Sequence, residues 1–111
     1  LIRYLISAMC LVAATSANAY SGNDLLNDLT STKSKGLTPG NALQDGVGMG
    51  YIMGASDMIS QSGTVCYRQN VTNGQISAVV QKYLESNPET RDAKAALLIY
   101  IALKAHFPCE K

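Results

Sequence analysis

The 111-residue chain has no tryptophan, one phenylalanine, one histidine and only three prolines and three cysteines. With His106 as the single histidine, no set of Cys, His and carboxylate residues stands at metal-ligand spacing, and a catalytic relay has almost no members to draw on. Charge is scarce too. Asp, Glu, Lys and Arg make up 15% of the residues, nine basic against eight acidic, with no basic stripe. Such a chain has no electrostatic pull toward a nucleic acid backbone or an anionic membrane surface. Long apolar runs are missing as well. The longest unbroken one, Ala95 to Leu103, is nine residues between Lys94 and Lys104, against about 20 for a membrane span. These shortages predict a protein that is not an enzyme, holds no metal, and binds neither nucleic acid nor membrane.

What is present begins with an export signal. Arg3 is a lone positive charge, Tyr4 to Ala14 is an apolar run, and Ala17-Asn18-Ala19 supplies the small residues of a cleavage site. Residues 1–19 are therefore expected to be a removed signal peptide, leaving a single domain at 20–111. Without Arg3 the remaining eight basic residues match eight acidic ones, so this domain is formally neutral. Cys10 falls inside the signal, where Met9 before it is a poor fit for the small residue of a lipidation site. The other two cysteines, Cys66 and Cys109, are expected to pair as a disulfide in an oxidising compartment. With 42 residues between them, the bond is worth about 4 kcal/mol by chain-entropy reasoning. The alternative is a free Cys109 thiol with His106 as its base.

The patterning predicts an all-α fold, a small bundle of about four helices with one disulfide. Leu25, Leu26 and Leu29 share a face of a short helix at Asp24–Leu29. Thr30 to Gly36 reads as a solvated polar loop. Thr38-Pro39 is a cap followed by proline at the first helical position. The helix Gly40–Ser60 behind it has Leu43, Val47, Tyr51, Met58 and Ile59 as its expected packing stripe. Gly46, Gly50 and Gly54 recur every four residues, with Gly48 nearby. Each helical glycine costs about 0.8–1 kcal/mol relative to alanine, so the row predicts close helix packing, within a chain or between two copies. A phosphate loop is excluded, because no Lys-Ser or Lys-Thr follows the glycines.

Gln61 to Asn70 breaks the helical pattern. Thr72 with Gln75 then forms a capping box, and Val71 can staple to Ile76. Ile76, Val79, Val80, Tyr83 and Leu84 follow at i, i+3, i+4, i+7 and i+8, up to Ser86-Asn87 before Pro88. Asn87-Pro88-Glu89 reads as the start of the last helix, which runs to Phe107, ends at Pro108, and is apolar almost all round. Such a helix is central to a core or shared with a partner.

The sequence "GYIMGASD" at Gly50 to Asp57 and the stretch from Cys66 to Cys109 resemble the Tai family of immunity proteins. The resemblance rests on Gly50-Tyr51-Ile52-x-Gly54, Cys66, Val71-Thr72 with Gln75, Tyr83-Leu84 before Pro88, and Ala102-Leu103-x-x-x-Phe107-Pro108-Cys109. It implies a periplasmic all-α protein, often a homodimer, that sterically blocks a peptidoglycan amidase, a papain-like cysteine peptidase delivered by type VI secretion, with no cofactor involved. It also implies that Cys66 and Cys109 are the family's disulfide pair. A second cysteine pair that many relatives carry is absent here, its places falling near Leu29 and Gly48, and Tyr67-Arg68 stands where a proline is usual. No motif names the contact residues. The resemblance implies a mobile or protruding segment that fills the enzyme's cleft, and on that basis the small, polar, disulfide-anchored loop makes Ser62, Gly63, Thr64, Tyr67, Arg68 and Gln69 the candidate partner-binding residues. A second reading from another class is an acid-activated periplasmic chaperone.

Overall fold

A computed structural model describes residues 19–110. The expected signal peptide lies outside them except for Ala19. Five α-helices follow one another: α1 (Gly22–Leu29), α2 (Ser31–Lys35), α3 (Pro39–Ser60), α4 (Asn73–Ser86) and α5 (Ala95–His106), with a 3-10 turn at Pro88–Thr90 between α4 and α5. Among the described residues, extended pairing is confined to two isolated antiparallel bridges, Ser21 with Lys94 and Val65 with Pro108. The all-α expectation with one disulfide agrees with this architecture.

Helix α1 starts two residues earlier than its apolar spacing suggests, because Ser21 caps it. The Ser21 hydroxyl accepts the Asp24 N–H at 3.1 Å while the Asp24 carboxylate accepts the Ser21 N–H at 2.9 Å. The Ser21 N–H and, after it, the Ser21 hydroxyl, both donating to that carboxylate, hold the Asp24 carboxyl below the usual carboxylate range. Glycine is required at 22. A Cβ there would overlap a Leu98 methyl and sit 2.8 Å from the Arg91 carbonyl oxygen.

Thr30 to Gly36 is not the solvated loop the sequence suggests. Five of its residues form α2, and Ser31 is fully buried. Hydroxyls make this possible by closing carbonyls four residues back: Thr30 to Leu26 at 2.7 Å, Ser31 to Asn27 at 2.8 Å and Ser34 to Thr30 at 2.8 Å. Asp45 of α3 then clamps α2 by accepting the backbone N–H of Thr32 at 3.1 Å and the Thr32 hydroxyl. That hydroxyl is the main reason the Asp45 carboxyl lies below its ordinary value. A depressed carboxylate favours the fold only while it is charged. Its contribution is present above the unfolded-state value of about 3.9 and is lost as pH falls through the folded-state value. Thr32→Val is therefore expected to move the NMR titration midpoint of Asp45 upward, toward the ordinary value, and to leave that of Asp24 unchanged.

Helix α3 is capped as expected, Thr38 accepting the Asn41 N–H at 3.2 Å. The face it buries is another matter. Gly48, Ile52 and Ser56 are buried, while Leu43, Val47 and Met58 of the expected stripe are 70%, 51% and 75% exposed. Only Tyr51 and Ile59 of that stripe pack on the core. The helix carries two charged residues, Asp45 and Asp57, so its pattern has little polar contrast from which a buried side can be read. A Cβ on Gly46, Gly50 or Gly54 would meet nothing within 4 Å, so among the described residues that row packs against no other part of the chain, and of the two expected kinds of close packing the one within the chain is not made there. The close approach is at Gly48, where a Cβ would stand 3.2 Å from the Asp28 Cβ and 3.1 Å from a Leu29 methyl.

Helix α4 has the anticipated capping box, Gln75 N–H to Thr72 at 3.1 Å and Thr72 N–H to Gln75 at 2.8 Å. It buries Ile76, Val80 and Leu84 against Ala95, Leu98, Ile99, Ala102 and Leu103 of α5 and Phe107 beyond it. Helix α5 begins at Ala95 rather than Asn87. The segment before α1 takes the backbone groups that an earlier start would need. Gly22 N–H bonds the Ala93 carbonyl at 2.9 Å, Asn23 N–H bonds that of Arg91 at 2.8 Å, and Ala95 N–H bonds that of Tyr20 at 2.9 Å. The Tyr20 ring lies 4.7 Å from that of Tyr51, and its hydroxyl donates to the buried Asp28 carboxylate, which Gln44 also reaches. Burial first, then the Asp28 hydrogen bond and charge, push the Tyr20 phenol up.

Candidate partner-binding surface

Between α3 and α4 the chain makes the loop in which the candidate binding residues fall. Its first half is a tight tip. The N–H groups of Gln61 and Ser62 bond back to Met58 at 3.2 Å and Ile59 at 3.0 Å. The Ser62 hydroxyl reaches the Ile59 carbonyl at 2.6 Å and the Thr64 hydroxyl at 2.7 Å. Gly63 turns the chain with φ +77, in open space. Ser62 and Gly63 are exposed and Thr64 is half-buried.

The second half is pinned at successive points. Val65 is buried and bridged to Pro108. Cys66 N–H donates to the Phe107 carbonyl at 2.9 Å, and Cys66 is bonded to Cys109 across a Cα–Cα distance of 4.9 Å. The alternative of a Cys109 thiol activated by His106 falls with that bond. Tyr67 is half-buried, its hydroxyl hydrogen-bonded to Ser56 of α3 and its ring edge-on to Phe107 at 5.2 Å. The Arg68 guanidinium lies 5.0 Å over the same ring, and Gln69 is exposed.

The six candidates thus divide. Ser62, Gly63 and Thr64 form the tip. Arg68 and Gln69 lie on the far limb, and Tyr67 is a strut whose polar end is already used. The tip stands at the rim of a hollow of about 330 Å³ lined by Met58, Ile59, Gln61, Ser62 and Tyr100. A hydrogen bond from the Thr64 side chain to the Tyr100 oxygen, with the nearby Lys104 charge, holds that phenol below its usual range. Leu97 and Ile101, three residues before and one after Tyr100 on α5, are also exposed apolar residues. Composition and spacing put Met58 in a packing stripe and not at a surface, and they did not single out Tyr100, Leu97 or Ile101. The one signal for them is that α5 is apolar on every side, more than one core can cover.

A second hollow, of about 300 Å³, opens between α4 and α5, with Lys82 and His106 in its lining. The His106 ring lies 4.8 Å from Phe107, edge to face. Among the described residues, no group of three or more His, Cys, Asp or Glu is placed to hold a metal ion, and no helix is long and apolar enough to cross a membrane. What the geometry offers is a braced loop and apolar hollows, the equipment of a surface that binds another macromolecule.

A family model described as Rap1a immunity proteins matches residues 21–109. No curated protein matches the chain. The matched span runs from the Ser21 cap to Cys109 of the disulfide, which takes in all five helices and the braced loop. Immunity proteins act by binding a cognate toxin and are in general not enzymes. The chain belongs to the Rap1a immunity protein family.

Proposed function

We propose that this protein is exported by residues 1–19 to the periplasm and there neutralises a peptidoglycan amidase delivered by type VI secretion. The amidase would be of the papain-like cysteine peptidase class, and the immunity protein would block its cleft sterically. The toxin class rests on the Tai resemblance at Gly50–Gly54 and Cys66–Cys109. The observation that carries the inhibitory reading is the loop itself: an exposed tip of small residues, braced by the Val65–Pro108 bridge, the Cys66–Cys109 bond and the Tyr67–Ser56 hydrogen bond. A segment already ordered before binding loses less entropy on entering a cleft. The apolar hollow beside the tip gives the contact somewhere to gain energy.

The test is a neutral-pH pull-down with oxidised residues 20–111, followed by a wall-digestion assay of what is captured. One cysteine amidase silenced near one-to-one subunit stoichiometry supports the reading. Many clients held only after an acid shift would favour the acid-activated chaperone instead. Ser62→Arg, which adds bulk at the exposed tip and touches no core residue, is expected to weaken inhibition at least about tenfold, some 1.4 kcal/mol.

The same reading includes a homodimer, and the outward row of Gly46, Gly50 and Gly54, flanked by the exposed Leu43, Val47 and Met58, is the face we assign to it. A helix that gives up side chains at three positions gains nothing from it inside one chain. Replacing all three glycines with leucine is expected to leave the helical circular dichroism intact and to turn a sedimenting dimer into a monomer.

A further inference from the structure

We infer that the cleft between α4 and α5 is a receptor for an acidic, apolar-flanked segment of the toxin. This rests on the proposal that the chain binds a toxin, and adds to it a second contact whose chemistry is set by charge. Val79, Tyr83, Ala102 and Ala105 contribute apolar wall to the cleft. Lys82 and His106 are the only lining residues able to carry charge, and no carboxylate is among them. The His106 ring packs against Phe107 and Arg68 lies over the same ring, whereas Lys104 stands 5.7 Å from the centroid of Tyr100, which lines the other hollow. The nearby carboxylate of Glu85 accepts the Gln81 amide at 2.9 Å, whereas those of Asp28 and Asp45 are held by Tyr20, Gln44 and Thr32 among α1, α2 and α3. The chain is close to neutral overall, yet the lining of this hollow holds a lysine and a histidine and no carboxylate. A partner matching it offers a leucine- or phenylalanine-sized side chain for the wall and a carboxylate for Lys82, arranged so that like charges are kept away.

Two blocked dipeptides, acetyl-Leu-Asp-amide and acetyl-Leu-Lys-amide, serve as probes in an NMR titration of the oxidised chain 20–111. The acidic dipeptide is expected to shift the amides of Lys82, Ala105 and His106, and the basic one to leave them in place. Lys82→Glu is expected to weaken the acidic dipeptide at least about fivefold. Ala105→Leu, at an exposed position, fills the cleft without entering the core and is expected to do the same. Equal shifts from both dipeptides, shifts centred on Met58 and Tyr100, or no shift at all would overturn the inference.

Both variants are then assayed against the captured amidase, where each is expected to weaken inhibition at least about tenfold. Full inhibition by both sinks the cleft and leaves the immunity reading standing. If the unmodified chain inhibits no amidase, the amidase reading falls, and with it the assignment of the cleft to that toxin.

Discussion

Phe107→Ala is expected to lower the unfolding free energy by about 3–5 kcal/mol, the range for removing a buried aromatic ring. Phe107 is 2% exposed and is the only phenylalanine in the chain. Its ring meets Tyr67 edge-on at 5.2 Å and His106 at 4.8 Å, and lies under the Arg68 guanidinium at 5.0 Å. Its carbonyl accepts the Cys66 N–H. One residue thus joins the core to the loop. A small domain has roughly 5–15 kcal/mol in total, and each kcal/mol moves the midpoint of a chain this size by about 4–8 °C. Thermal melts followed by circular dichroism should therefore show a fall of at least about 12 °C. Phe107→Leu, which keeps most of the volume, should lose much less. A loss below about 1 kcal/mol for the alanine variant would mean that the disulfide alone holds this corner.

How much of this was readable in advance depends on whether a signal is local. The Thr72–Gln75 box, the Thr38-Pro39 cap and the stop at Pro108 are satisfied within a few residues, and the structure has all three. The beginning of α5 is not local. It is set by Tyr20, Gly22 and Asn23, some seventy residues earlier in the chain, taking the backbone groups of 91–95. Helix α2 escaped for a related reason, since Ser and Thr disfavour helices until their hydroxyls find carbonyls one turn back and Asp45 arrives from α3. The buried face of α3 was misread because an almost uncharged helix gives periodicity nothing to contrast with. Its packed glycine, Gly48, differs from its four open ones only in what lies opposite. The candidate surface divides in the same way. The disulfide and the polar tip follow from residue type and spacing, whereas Met58, Tyr100, Leu97 and Ile101 stand out only once it is known which apolar residues the core leaves uncovered.

Replacing Cys66 and Cys109 together with serine is expected to cost about 4 kcal/mol, because the bond closes a span of 43 residues in the unfolded chain. Denaturant unfolding should report it as a lower midpoint, and thiol titration should find no reactive cysteine in the oxidised mature chain. Cys66 is exposed, so a reductant in solution should reproduce the effect in the unmodified protein. The bond and the Phe107 ring brace the same corner, one through Cys66 and the other through Tyr67 and Arg68. Their losses should therefore not add: a chain lacking both should differ from the sum of the two by about 0.5 kcal/mol or more. The functional consequence separates brace from bulk stability. At a temperature where the serine variant keeps its full helical signal, Val65 still pairs with Pro108 and the core is intact, but the limb from Cys66 to Asn70 has lost its covalent anchor. Under the inhibitory reading the variant should then bind the toxin more weakly while remaining folded, with the loss appearing as the entropy of ordering the loop. Unchanged inhibition by the folded variant would show that the tip at Ser62–Thr64 is held by α3 alone, and that the disulfide serves the fold and not the contact.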